Sequence, residues 1–213
     1  MKITWLGHAC FRIEADGKTI ITDPFNEDVP YDFPDTSADL VTVSHSHFDH
    51  NAVHRVTGDP AVLETVGSFR ILGTPVTGIA SYHDKHRGAE RGENILYVFD
   101  IEGLRIAHLG DLGTNLTEAQ RTALSGVEIL LIPVGGHFTI DPATAAQIVR
   151  SLPSVKAVIP MHFKTGRIAD WPIETVEPFA QMMDNTRHIG SAEVSVKKET
   201  LPQLTEVWIL DHA

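Results

Sequence analysis

Four side chains able to ligate metal occur within six residues, directly after an apolar segment of the chain. The segment Asp39–Ser44 has the near-continuous apolar pattern of a strand buried in a sheet, and it leads into His45, His47, Asp49 and His50. Residues i and i+2 of an extended segment point the same way, so His45 and His47 can hold one ion together. A solvated histidine-rich loop is the alternative interpretation. The position at the end of an apolar strand favours a metal site.

The residue types in this motif narrow the choice of ion. Three imidazoles and one carboxylate suit Zn²⁺, and also Mn²⁺ or Fe, better than Ca²⁺ or Mg²⁺, which prefer oxygen ligands. Zn²⁺ is the first expectation, with Mn²⁺ or Fe as alternatives.

Three more segments with strand-like patterns each end in a residue that can ligate metal. They are Thr74–Tyr82 before His83, Leu104–Gly110 before Asp111, and Val155–Met161 before His162. The carboxyl ends of strands form a crevice in open α/β sheets, so we expect these residues to converge with the motif. Seven ligands suffice for two ions. His86 is a rival to His83, but His83 lies at the strand end and is preferred.

The rest of the chain alternates short strands with a few helices. Asp16-Gly17 and Glu102-Gly103 predict hairpin turns. The other predicted strands are Lys2–Leu6, Cys10–Glu14, Lys18–Thr22, Ala61–Glu64, Val76–Tyr82, Ile95–Asp100, Leu104–His108, Glu128–Pro133, Val155–Pro160, Glu193–Val196 and Glu206–Leu210. The predicted helices are Thr117–Ser125, Pro142–Leu152 and Ile173–Met183. No linker divides the chain, so we expect one layered α/β domain over residues 1–213.

Composition limits the partners and the compartment. The 28 acidic and 17 basic side chains leave a net charge of −11, which argues against a nucleic-acid footprint or a membrane-binding basic patch. The single cysteine, Cys10, excludes an intrachain disulfide and indicates a reducing compartment. The start lacks the apolar stretch of a secretory signal. We therefore expect a cytoplasmic protein acting on a small-molecule substrate, and self-association stays open.

The ligand pattern resembles that of the metallo-β-lactamase superfamily, His-x-His-x-Asp-His followed by a third His, a bridging Asp and a last His. The resemblance covers nearly the whole chain. It implies an α/β fold of four layers, an αβ/βα sandwich with two mixed sheets face to face and helices outside. It also implies a first metal held by His45, His47 and His83, a second held by Asp49, His50 and His162, and Asp111 bridging the two.

Short phrases resemble most closely a small branch of that superfamily, the L-ascorbate-6-phosphate lactonase-like proteins and related metal-dependent hydrolases. These phrases are Trp5-Leu6-Gly7-His8, Thr22-Asp23-Pro24, His108-Leu109-Gly110-Asp111, the stretch 132–138 and the stretch 159–162. The resemblance implies a hydrolase that uses a bridging hydroxide between two metals on an ester, lactone or phosphodiester. Asp49 and Asp111 would orient that hydroxide. A di-iron redox protein on the same ligands and a non-enzymatic metal-binding domain are the alternatives.

Four further residues are predicted to support the site. Asp23 is expected to hold the His-rich loop, with a loop cap beside Pro24 as the alternative. His8, His137 and Lys164 are candidates for contact with substrate, against the simpler interpretation of turn or surface residues. The pocket walls are expected from two loops, 26–37 and 83–93.

Overall fold

The computed structural model describes all 213 residues, which form sixteen strands, three α-helices and three short 3₁₀ turns. The strands are β1 (Lys2–Gly7), β2 (Cys10–Ala15), β3 (Lys18–Thr22), β4 (Thr36–Ser37), β5 (Leu40–Thr42), β6 (Val56–Thr57), β7 (Ala61–Leu63), β8 (Gly67–Ile71), β9 (Thr74–Tyr82), β10 (Glu93–Ile101), β11 (Leu104–His108), β12 (Ile129–Pro133), β13 (Ala157–Met161), β14 (Thr186–His188), β15 (Glu193–Ser195) and β16 (Glu206–Ile209). The helices are α1 (Glu118–Ala123), α2 (Pro142–Ser151) and α3 (Glu177–Ala180), and the 3₁₀ turns are Val53–Arg55, Gly166–Ile168 and Lys198–Thr200.

Two mixed sheets form the frame. A six-stranded sheet has the order β15-β1-β2-β3-β5-β7, and an eight-stranded sheet has the order β14-β16-β13-β12-β11-β10-β9-β8. In the first, β1, β2 and β3 are antiparallel, while β3, β5 and β7 are parallel. In the second sheet, neighbouring strands among β8, β9, β10 and β11 are antiparallel. The neighbouring strands β11, β12, β13, β16 and β14, given in their order across the sheet, are parallel. The predicted arrangement of two mixed sheets is confirmed.

The core lies between these sheets. A cluster of 47 buried apolar residues takes Phe11 and Ile13 from the first sheet, Leu96 and Leu130 from the second, and Ile148 from α2. Successive strand residues point to opposite faces of a sheet, so the neighbours of the core residues face outward. Apolar residues on the outward face of the six-stranded sheet, such as Leu6, Cys10 and Ile21, belong to a second cluster of twelve, which contains no α-helical residue.

Local sequence signals explain the turns and the helix start. Asp16 and Gly17 have φ of 50° and 69°, and Glu102 and Gly103 have 51° and 70°, as a hairpin with two left-handed residues requires. Helix α2 begins where predicted, because the Asp141 carboxylate accepts a hydrogen bond from the Thr144 backbone N–H at 2.7 Å.

The predicted helix Ile173–Met183 is wrong in extent. Only Glu177–Ala180 is helical, with Pro178 in its first turn. Proline has no N–H and its ring clashes with the preceding turn, so a helix cannot run through this position from Ile173.

No helix in the structure has both the length and the apolar character needed to cross a membrane.

The strand directions bring one edge of each sheet together. Strands β1, β3 and β5 run the same way in the first sheet, as do β9, β11, β12 and β13 in the second. The carboxyl ends of the strands in each set lie at one edge of their sheet. The residues that follow these ends are His8, Asp23, the 45–50 motif, His83, Asp111 and His162.

Candidate metal centre

Three histidines form the first group, called here the outer cluster: His45, His47 and His83. Their candidate ligand atoms all lie within 4.8 Å of one another. The His45 Nε2 and His47 Nδ1 atoms are 3.1 Å apart, as the i, i+2 spacing predicts. His45 and His47 are partly exposed, whereas His83 is buried. The structure brings His83 to this group, while its rival His86 is 66% exposed and bonded to Glu90.

Four buried residues form the second group, called here the inner cluster: His8, His50, Asp111 and His162. The Asp111 Oδ2 atom lies 3.2 Å from the Nε2 atoms of His50 and His162. The same oxygen also lies 3.2 Å from His83 Nε2, so Asp111 joins the inner cluster to the outer one. His8, expected beside the substrate, lies instead among the candidate ligands.

Asp49 lies between His8 and His50. Its Oδ2 atom is 3.2 Å from His8 Nε2 and 3.7 Å from His50 Nε2. Its side chain is 14% exposed, whereas those of His8 and His50 are fully buried. Asp49 therefore borders the inner cluster on its solvent side.

Asp23 and Ser44 orient one histidine in each cluster. The fully buried Asp23 accepts hydrogen bonds from the Ser44 backbone N–H at 2.8 Å and from the Ser44 hydroxyl at 2.5 Å. Its Oδ2 atom is 2.8 Å from His50 Nδ1. Because the Ser44 hydroxyl donates to Asp23, it accepts from His45 Nδ1, 2.9 Å away. Both rings thus carry their proton on Nδ1 and leave Nε2 free to bind an ion.

The electrostatics favour neutral His45 and His8, an ionised Asp111 and a positive charge at His50. Burial and the nearby His50 lower the pKa of His45 to about 3, and burial and the nearby His162 lower the pKa of His8 to about 4. Burial alone would raise the pKa of Asp111, but His162 and His50 outweigh it and hold that pKa well below its usual range. Burial would lower the pKa of His50, yet Asp111 and Asp49 raise it well above normal, which marks this position as one that attracts a cation.

The donor atoms fit divalent metal ions. Eight buried side-chain nitrogen and oxygen atoms lack a hydrogen-bond partner, and five of these eight belong to the two clusters. They are His8 Nδ1, His50 Nε2, His83 Nδ1, Asp111 Oδ1 and His162 Nδ1. Unpaired polar atoms are costly inside a protein, so their concentration in the two clusters favours a ligand-binding site there. Imidazole with carboxylate suits Zn²⁺, Mn²⁺ or Fe.

Three residues of the site hold an uncommon backbone conformation. His8, Asp23 and His162 have φ of 53°, 40° and 50°, in the left-handed region that disfavours side chains. Such strain costs about 1–3 kcal/mol per residue and persists only where the surroundings enforce it. Gly135 contributes here, since a side-chain carbon at that position would collide with the His162 carbonyl oxygen. The tight packing fixes where these side chains point.

A cavity of about 420 Å³ opens onto both clusters. His47, Asp49, His83, Asp111 and His162 line its floor. Its walls are Phe48, Arg91, Phe138, Asp170, Trp171 and Pro172. This volume falls within the range of small-molecule sites, about 300–1,000 Å³.

Two predicted substrate contacts lie outside this cavity. His137 is exposed, because its left-handed backbone turns the side chain outward while Phe138 takes the inward place. Lys164 is half-buried and does not line the cavity either; its backbone N–H donates to the Glu174 carbonyl at 2.8 Å. Neither His137 nor Lys164 lines this cavity, and their contact with substrate stays a prediction.

The cavity walls also differ from expectation. Of the two predicted loops, 83–93 contributes Arg91, but 26–37 contributes nothing, and residues 170–172 take its place. Sequence reasoning missed Arg91, Phe138 and Trp171. Phe138 stood inside a phrase used for the family resemblance, so it was open to detection, whereas no local pattern marked Trp171.

Comparison with known proteins agrees with this geometry. The sequence model of a family described as the β-lactamase superfamily domain matches residues 2–162. A UPF0173 metal-dependent hydrolase of Thermoplasma volcanium is 32% identical over 78% of this chain and 84% of its own length. A crystal structure of a Thermotoga maritima protein, assigned to the Zn-dependent hydrolases of the metallo-β-lactamase superfamily, superposes with a TM-score of 0.85 and 36% identity. The match covers 100% of this chain and 99% of the other.

A more distant structural neighbour shares the fold only. The isothiocyanate hydrolase from Delia radicum gut bacteria has a TM-score of 0.67 at 16% identity, covering 85% of this chain and 90% of the other. None of these comparisons addresses the lactonase-like branch, which stays a prediction.

Proposed function

This chain belongs to the β-lactamase superfamily and, within it, to the UPF0173 metal-dependent hydrolases, and from that premise we propose a hydrolase with a two-metal site. The proposed reaction is hydrolysis of an ester, lactone or phosphodiester bond in a small molecule. One observation carries the proposal: a single oxygen, Asp111 Oδ2, lies 3.2 Å from histidines of both clusters. A carboxylate so shared suits a pair of neighbouring ions.

Each cluster would hold one ion. His45, His47 and His83 would take one, while His50 and His162 would take the other, joined by His8 and Asp49 at its border. Asp111 would serve both. We propose Zn²⁺ as the ion, with Mn²⁺ or Fe as alternatives. Two such ions, when bound, lower the pKa of water towards neutrality and polarise the bond to be cleaved.

The residues of the chain would position water and substrate. Burial alone would raise the pKa of Asp49, but His50 and His8 lower it, so Asp49 is a carboxylate at neutral pH. A carboxylate with a lowered pKa is a weak base, and its main role would be to orient water at the cavity floor by accepting a hydrogen bond. His8, neutral because of its own lowered pKa, donates to Asp49 and holds it there.

The nucleophile would be water and not a side chain. Cys10 is fully buried in the cluster on the outer face of the six-stranded sheet, away from the cavity. Burial raises the pKa of its thiol well above the usual range, which suppresses the reactive thiolate.

The test is elemental analysis of protein purified without chelator, followed by assays on ester, lactone and phosphodiester panels. We expect two ions per chain in the wild type and fewer in Asp111→Ala and His162→Ala, with hydrolysis lost in both variants. His188→Ala, an exposed histidine on β14, is the matched control and keeps both ions. One ion or none, unchanged by the two site variants, would overturn the proposal.

The same measurement separates the alternatives. The imidazole and carboxylate set also suits iron, so a di-iron redox protein would show iron in excess of zinc and a visible absorption band. One tightly held ion without any hydrolysis would favour a non-enzymatic metal-binding domain.

A further inference from the structure

The cavity walls carry a charge and aromatic pattern that the metal clusters do not explain. Arg91 is the one lysine or arginine among the lining residues. We propose that Arg91 determines specificity by binding an anionic group of the substrate, a carboxylate or phosphate, while an aromatic or apolar body lies between Phe138 and Trp171. This inference rests on the proposed function, because it names the substrate class of that hydrolytic site.

The Arg91 guanidinium has only one long ion-pair contact, so its hydrogen-bond donors can bind a ligand. It makes no hydrogen bond within the chain, and its nearest acidic oxygen is Glu90 Oε2, 3.6 Å from Nη1. The same Glu90 side chain is engaged by His86 Nδ1 at 2.6 Å. The Arg91 side chain is 32% exposed, which leaves its planar donors within reach of a molecule in the cavity. A guanidinium fork matches the two oxygens of a carboxylate or phosphate.

An aromatic ring supports the guanidinium. Its central carbon lies 5.7 Å from the centroid of the Phe138 ring, within the distance of a cation–π contact. Phe138 also lines the cavity, so the ring that holds Arg91 can contact the body of a ligand that Arg91 binds. The charge and the apolar surface are therefore adjacent.

One buried carboxylate, that of Asp84, holds the loop that carries Arg91 through hydrogen bonds. Asp84 is buried and accepts four backbone hydrogen bonds: His86 and Gly88 donate to Oδ1, and Glu90 and Arg91 donate to Oδ2, at 2.7–3.0 Å. Burial alone would raise the pKa of Asp84, but these four donors lower it to about 2. Asp84 is a positioning residue, since it holds the Arg91 backbone in place before a ligand arrives.

Trp171 is the second aromatic wall residue that the inference uses. Its ring lies 5.4 Å from that of His8, edge to face, so it reaches the inner cluster. Its indole N–H makes no hydrogen bond within the chain. Asp170 beside it makes no ion pair, and it is the one lining acid outside the clusters and their border. An anionic group bound at Arg91 would pair with the one arginine or lysine that lines the cavity.

Binding of two matched aromatic probes to the metal-loaded protein tests this without any hydrolysis. The probes are 2-naphthoate, which is anionic, and 2-naphthamide, its neutral counterpart, measured by isothermal titration calorimetry. We expect the wild type to prefer 2-naphthoate and Arg91→Gln to weaken 2-naphthoate about tenfold, with 2-naphthamide changed less than about twofold. Arg91→Lys restores part of the loss, because it keeps the charge but not the fork.

Two further variants complete the design. Arg70→Gln removes an exposed arginine on β8, outside the cavity, and leaves both affinities as in the wild type. Asp170→Asn removes the opposing charge and tightens 2-naphthoate only slightly. Trp171→Leu weakens both probes alike, as loss of an apolar wall should.

Three outcomes would overturn the inference. These are equal weakening of both probes by Arg91→Gln, a 2-naphthoate preference that survives in that variant, or no binding of either probe to the wild type. If Arg91→Gln still prefers 2-naphthoate, the bound metal ions and not Arg91 bind the anionic group. Arg91 belongs to neither cluster, so we expect Arg91→Gln to keep the ion content of the wild type, which elemental analysis checks. A negative binding result then leaves the proposed hydrolysis standing, and a failed hydrolysis assay leaves this binding result standing.

Discussion

The outer and inner clusters differ in how the chain builds them. The outer cluster takes His45 and His47 from one short segment after β5 and adds only His83, which follows β9. The inner cluster takes His8, His50, Asp111 and His162 from four separate strand ends across both sheets. One site is mostly local, and the other exists only when the whole sandwich is formed.

Burial and charge follow the same division. The inner cluster is wholly buried and contains a carboxylate, with Asp49 at its border, whereas the outer cluster has two partly exposed rings and depends on Asp111 for negative charge. Anionic ligands out of water bind a cation more strongly than neutral, solvated ones. We therefore expect the inner cluster to hold its ion more tightly and to release it last.

Replacing the shared residue should have the largest effect. Asp111→Asn removes the charge that both clusters use, so we expect both ions to be lost and hydrolysis to fall by more than the 10–100-fold typical of losing a partner that only orients a ligand. Elemental analysis and initial rates measure this. Retention of two ions in the variant would mean that the clusters are independent of Asp111.

Asp23→Asn should rank second. It weakens the hydrogen bonds that orient His50 directly and His45 through Ser44, so metal affinity of both clusters should fall about 10–100-fold. Competition with a chelator of known affinity measures this loss. Asp39→Asn, which alters an exposed carboxylate bonded to Thr19, is the control. A loss confined to one cluster would contradict the role of Asp23 in both.

His8→Gln should separate the clusters. The substitution removes a ring of the inner cluster and the partner of Asp49, and it leaves His45, His47 and His83 in place. We expect about tenfold weaker binding of the inner ion, within the range for an orienting partner, and a clearly smaller change in binding of the outer ion. Stepwise chelation with metal analysis resolves the two. Equal weakening of both ions would show that the division into clusters is wrong.

Asp84→Asn should have the smallest effect, because Asp84 belongs to neither cluster. We expect full metal content and a melting temperature lower by a few degrees at pH 7. The Asp84 pKa is lowered to about 2, so its stabilising effect is present above the unfolded value near 3.8 and is lost as the pH falls towards 2. Melting curves of both proteins should therefore converge between pH 4 and pH 2. If the difference in melting temperature between wild type and Asp84→Asn stays constant over that pH range, the ionised carboxylate is not its cause.

The sequence alone predicted the frame and most of the candidate ligands. The His-x-His-x-Asp-His pattern and the apolar runs before His83, Asp111 and His162 were enough, because a strand end is a local feature that an apolar pattern marks. The place of His8 among the candidate ligands was not predicted, because its proximity to His50 and His162 depends on how one sheet faces the other.

The cavity walls were the least predictable part. Arg91 depends on a loop organised by four backbone hydrogen bonds to Asp84, and no periodic pattern records such a loop. His137 and Phe138 are neighbours, and only the left-handed backbone at His137 decides which of them faces the cavity. Trp171 lies in a turn after Gly166–Ile168, where the sequence carries no strand or helix signal.

The carboxylate of Asp23 reaches both clusters, directly through His50 and by way of Ser44 to His45. An ion that fixes either ring also fixes the carboxylate that orients the other ring. Linkage is reciprocal, so each ion would raise the affinity of the chain for its companion by the same factor. At limiting metal, the ion that occupies the tighter inner cluster would therefore prepare the outer cluster for the second ion, and the two clusters would fill in that order.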